Sequence, residues 1–239
     1  DGKSEDSIAK RVRRGDVLRN APYQGTPIRR IRMSVEAVML VHMNDDAFWA
    51  LIDELGRRTG DRDERLEWLR TELLRRPAAE SVEFQVRLEE ACEAADTRGL
   101  WRAANRVEGG ACSDDGFHYF TLWLVGQGRK VYESVVADPD ALADVPGIRV
   151  LVGRHHDVWR DDEWPEWEEL DYVAQDAYDE LTGQEDDEGE EFLDAVEELE
   201  EEREEPEERE EGVVTRGTRP EGLALPRLTA LFPLGSSTA

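Results

Sequence analysis

Between Asn44 and Gly183 apolar residues recur three and four positions apart, the period of helices that each bury one face. Asn44 or Asp45 can cap a first helix with Phe48, Trp49, Leu51, Ile52 and Leu55 on a broad face, closed by Gly56 or Gly60. A second opens at Asp61 and runs through Arg76 on Leu66, Leu69, Leu73 and Leu74, with Trp68 beside them, until Pro77 ends it. A third spans about Ala78 to Ala95, and a fourth carries Leu100, Trp101, Ala103, Ala104 and Val107, with Gly99 between the two. Gly109-Gly110 stops the fourth, and Ser113 caps a fifth whose Asp114 and Asp115 lie in the first turn, where the helix dipole favours negative charge. Phe117, Phe120, Leu122, Trp123, Leu124 and Val125 make that fifth helix apolar almost all round, as a central helix should be.

Gly126 and Gly128 bracket a break, a sixth helix runs from Arg129 to Val136, and Pro139 to Ala143 can begin another turn. Ile148, Val150, Leu151 and Val152 read as a short strand or an extended loop, and the period is lost around His155, His156 and Trp159. Pro165 takes the first position of a last helix with Trp167, Leu170, Val173, Ala174, Ala177, Tyr178 and Leu181 on its face, ended by Gly183. The fold class that follows is all-α, a compact domain of about six to seven helices over residues 43–183.

The flanks carry no such pattern. In residues 1–42, Gly15, Pro22, Gly25 and Pro27 break any helix, so this stretch reads as a flexible basic arm or an over-extended start, with Met43 the expected natural start. In the Glu-rich segment 184–211 Phe192, Leu193, Val196 and Leu199 form a thin apolar stripe, and acids four apart repel, so partial helix at most is expected. Residues 212–239, with Pro220, Pro226 and Pro233, read as a disordered tail, although Leu223 to Leu234 holds enough leucine to dock.

Of the 239 residues 39% are hydrophobic and 36% charged, so part of the chain must be solvated. The net charge of -27 is placed unevenly: Asp157 to Glu211 carries 29 acids against three arginines, whereas residues 1–42 carry nine basic and five acidic residues. Such an acid excess disfavours nucleic acid and anionic membrane and suits a basic protein partner. No apolar run has the roughly 18 residues a membrane helix needs, and no secretory leader pattern precedes residue 43. With two cysteines, Cys92 and Cys112, giving no disulfide framework, the expected location is the cytoplasm. Lysine stands at 3, 10 and 130 and arginine makes up the other 27 of 30 basic residues, the usage of a GC-rich bacterial genome.

Four stretches are distinctive in order and spacing: Met43 to Ile52, Leu100-Trp101-Arg102-Ala103-Ala104, Gly109-Gly110-Ala111-Cys112-Ser113-Asp114-Asp115-Gly116-Phe117, and Trp123-Leu124-Val125-Gly126-Gln127-Gly128-Arg129. Together they resemble a bacterial family known as domain of unknown function 4240, across roughly Met43 to Gly183. The resemblance implies a mostly helical domain without an assigned activity, and the stretch Ile148 to Trp164 departs from it as an insert.

Candidate chemistry gathers at the turn before the fifth helix. Asn105, Cys112, Ser113, Asp114, Asp115 and His118 form a polar constellation there, and Arg129 is a cation expected to pair with Asp114 or Asp115 and tie two helices together. A thiol just ahead of a helix N-terminus can act as a nucleophile with a nearby histidine or aspartate as base. Against this, Asp114 and Asp115 oppose a thiolate, and a plain capping role for Ser113 with a small buried Cys112 accounts for the same residues. Two adjacent carboxylates need a further ligand to hold a cation, and the cysteines and histidines lack paired-ligand spacing, so no metal and no cofactor are expected. Trp49, Trp68, Trp101, Trp123 and Trp167 fall on apolar faces, whereas Trp159 and Trp164 stand among charges and mark either a binding surface or a loop folded onto its own domain. The leading expectation is a non-catalytic module that binds another protein. The alternative is a small-molecule binder or enzyme with its site at Gly109 to Asp115.

Overall fold

The computed structural model describes residues 43–183, 189–204 and 224–233. Side-chain caps set four of the helix starts. Asn44 accepts from the Ala47 N–H (2.9 Å) to begin α1 (Asp45–Arg57), and Asp61 accepts from the Glu64 N–H (2.8 Å) to begin α2 (Arg62–Leu74). Helix α3 (Ala78–Ala95) starts after Pro77. Thr97 caps α4 (Arg98–Val107) through the Leu100 N–H (3.1 Å), so Gly99 lies inside this helix and does not separate it from α3. Ser113 caps α5 (Asp114–Val125), and Gly128, at φ 95°, turns the chain into α6 (Arg129–Ala137).

A 3₁₀ turn, Pro139–Asp144, leads into the single helical turn α7 (Pro146–Arg149), where a strand or loop had been an open expectation. The last predicted helix starts later than Pro165. The Trp167 N–H donates to the Tyr119 carbonyl at 3.0 Å, which holds that stretch in irregular backbone, and α8 (Val173–Thr182) follows a 3₁₀ turn at Glu168–Leu170. The reason is packing: Trp167 is pulled into the core, where an added Cβ on Gly126 would lie 2.6 Å from its ring.

The acidic segment forms the 15-residue helix α9 (Glu190–Glu204). Tertiary contact overrides charge repulsion there, because Phe192 and Val196 are buried, Phe192 meets the Tyr178 ring at 5.4 Å, and Arg203 pairs with Glu90 of α3 at 3.1 Å. In the region expected as disordered tail, Pro226–Leu231 forms helix α10 with Leu228 fully buried; the expectation for residues 1–42 lies outside the described residues.

The described residues thus hold eight helices of nine or more residues and no strand: seven within 43–183, as expected, and α9 beyond it. Helix α8 lies on α2 and α3, α9 covers α3 from outside, and α5 runs beneath, against α3, α4 and α6. Phe120, Leu122, Leu124 and Val125 of α5 are fully buried, and Trp123 nearly so, as expected of the central helix. Among the described residues no helix is long and apolar enough to cross a membrane.

Candidate functional site

Four of the predicted site residues, Cys112, Ser113 and the exposed Asp114 and Asp115, sit together at the head of α5, and two carboxylates that the sequence pattern did not single out join them. Ser113 Oγ accepts from the Gly116 N–H at 3.0 Å, so the hydroxyl caps its own helix. Glu108 ends the buried stripe of α4 and is 1% exposed, with Oε1 lacking a hydrogen-bond partner. Glu166 arrives from the irregular stretch before α8, and its Oε1 packs closely on the helix start, 3.2 Å from where a Cβ on Gly116 would stand.

Burial, with Glu166 nearby, pushes the Glu108 carboxyl up to about 7. Burial first, and then the Glu108 carboxyl, push the Cys112 thiol up to about 12, so it is held as a thiol and not as a nucleophilic thiolate. Glu166 is also raised by burial, against the pull of Arg62.

The other predicted residues lie elsewhere. His118 Nε2 meets Asp171 Oδ2 at 3.1 Å. Asn105 lines a cleft with Arg102 and Arg106 against residues 224–229. Arg129 does not pair with Asp114 or Asp115: it binds Asp45 (3.1 Å), Asp46 (3.0 Å) and Glu133 (2.7 Å). The reason is geometric, since Arg129 follows the foot of α5 while the two aspartates stand at its head, roughly 18 Å along the axis for twelve residues.

From Glu166 the site opens into a cleft of about 450 Å³ lined by Arg62, Tyr119, Asp161, Trp164, Glu168 and Glu169. Arg62 is committed to backbone, donating to the carbonyls of Trp164 (2.5 Å) and Asp162 (3.1 Å). Tyr119 and Tyr172 both donate to Glu168 Oε1, at 3.1 and 3.5 Å. Among the described residues Asp161, Glu166 and Glu169 make no ion pair within 4.0 Å, and Arg62 offsets only part of the cleft's charge, so an acid excess stands beside an aromatic rim.

The two tryptophans left open by the pattern belong to a loop folded onto its own domain. Trp159 is buried, its ring meets Trp164 edge-on at 5.0 Å, and the Arg154 fork on Glu163 (2.7 Å twice) closes the loop and draws Glu163 down to about 2. In the same loop the donor atoms of His155, His156 and Asp157 lie within 4.8 Å of one another and are able to hold a metal ion. Paired-ligand spacing cannot reveal three consecutive donors. Glu108 was more legible, for it continues the stripe of Leu100 and Ala104 four residues on. Nothing in the sequence around Glu166 marks it.

No solved structure matches this chain. The model of the family described as "Protein of unknown function (DUF4240)" matches residues 43–180, helices α1 to α8 with the head of α5 at their centre, and the chain belongs to that family.

Proposed function

We propose that this protein is a non-catalytic interaction module whose acidic cleft at the head of α5 takes a basic segment of a protein partner. The observation that carries the reading is the excess of Asp161, Glu166, Glu168 and Glu169 over Arg62 in a cleft rimmed by Tyr119 and Trp164. Carboxylates and aromatic faces are the two surface chemistries that hold guanidinium and ammonium groups. The enzyme alternative at Gly109 to Asp115 loses support, because the Cys112 thiol stays protonated, Ser113 is spent on its cap and Glu108 is shielded from solvent. Free Cys92 and Cys112 fit a reducing, cytoplasmic setting, and the acid excess fits a protein partner in preference to nucleic acid or membrane.

The test is titration of the full-length chain with an arginine-rich octapeptide, followed by tryptophan fluorescence. The triple variant Glu166→Gln, Glu168→Gln, Glu169→Gln should bind at least tenfold more weakly, about 1.4 kcal/mol, with affinity falling as salt rises. The acidic segment beyond Gly183 is the same in both proteins, so equal affinities would assign the binding to that segment and end the cleft reading.

A further inference from the structure

The second surface is a groove between α4 and the 3₁₀ turn Pro139–Asp144, occupied by the chain's own C-terminal residues. Asp140 sits at its centre, 5% exposed. Its carboxylate accepts from the backbone N–H of Arg227 (3.0 Å to Oδ2) and of Leu228 (3.0 Å to Oδ1), and Arg227 also pairs with Asp144. Leu228 is fully buried, and Phe232 is buried where α4 ends, beside Gly109, His155 and His156. Pro226 stands at the first helical position, where no N–H is needed.

This is a peptide-recognition arrangement. Asp140 reads two backbone amides, which any residue type supplies, and so sets register; the pockets for Leu228 and Phe232, four apart on one helical face, set specificity. Every residue of the groove named here lies within the family-matched residues 43–180, whereas the occupant lies outside them. Residues 205–223 link the end of α9 to Ala224 along the chain. A six-residue helix has no stability of its own, so it forms on docking, and its covalent link to the rest of the chain raises its effective concentration at the groove.

We propose that the groove is a docking site for a short partner peptide carrying Leu and Phe four residues apart behind an uncapped helical turn, and that residues 224–233 occupy it in cis as a tethered competitor. The inference is independent of the acidic cleft. It makes the C-terminal segment autoinhibitory, since a partner engages only by displacing it.

The test uses full-length Leu228→Asp, whose tail cannot seat, and a labelled decapeptide with the sequence of residues 224–233, read by fluorescence polarisation. Saturable binding is expected for this variant, at least tenfold weaker binding for the wild type because its own tail competes, and at least a tenfold loss when Asp140→Asn is added to Leu228→Asp. Full-length Phe232→Asp releases the tail at its other anchor and replaces Leu228→Asp if that variant does not fold. A folded, tail-released chain that fails to bind the peptide overturns the proposal, as does wild-type binding of equal strength, which would put the peptide elsewhere. A concentration-dependent wild-type dimer that Leu228→Asp abolishes would overturn the partner assignment in favour of tail exchange between copies.

Discussion

Glu108 is a carboxyl at the end of the buried stripe of α4 with an unpartnered oxygen. Its pKa is raised from near 4.5 to about 7, so between those values the folded chain holds a proton that the unfolded chain releases. Its contribution to stability is full below about pH 4.5 and is lost as pH rises past 7, a change of about 3 kcal/mol at most. Urea unfolding at pH 5 and pH 8 should therefore show Glu108→Gln flattening this slope and gaining on the wild type at pH 8. Equal slopes in the two proteins would remove the buried-acid account. A single acid among 57 carries no outward sign of such burial except its place four residues beyond Ala104, which is why it was legible only as a position on a face.

At the scale of elements, ends are decided by side chains from other helices as much as by local caps. Gly128 offers α6 no side-chain cap, and Asp53 of α1 fills the role by accepting from the Arg129 N–H at 2.8 Å. The three ion pairs of the Arg129 side chain lie in solvent, where water and salt screen them and the entropy of holding long side chains offsets their attraction. Asp53→Ala, which leaves a helix-start amide without its acceptor, should cost about 1 kcal/mol or more. Thermal melts of the two single variants decide: Asp53→Ala is expected to fall further than Arg129→Ala, and the reverse order would mean that the ion pairs hold α6. The same logic explains α8, whose apolar period extends back to Trp167 while its backbone does not, because Trp167 turns into the core over Gly126. Helix α9 is the opposite case, with poor local preference and a full helix held by Phe192 and Val196.

For the whole molecule the governing quantity is the net charge of -27, concentrated from Asp157 onward and overlying α3 and α8 through α9. Like charges on a compact surface repel, and salt screens exposed pairs over about 10 Å at 0.1 M. Raising sodium chloride from 10 to 300 mM should lift the melting temperature, by about 2–4 °C for each kcal/mol of repulsion relieved. A melt insensitive to salt would show that the acids are already balanced by the arginines of α2 and α3.

What the sequence determined by itself is what depends on neighbours along the chain: the opening of α2 at Asp61, the capping of α5 by Ser113, the burial of α5 from Phe120 to Val125, and the all-α class. Only the tertiary structure decided what depends on residues far apart in the chain. Glu166 reaches Gly116, Arg129 turns to Asp45 and Asp46 at the far end of α5, and Asp140 meets the amides of α10 some 87 positions on. Periodicity reports which face of a helix is buried and is silent on what that face meets, because the partner is chosen by packing between elements and not by the local chain.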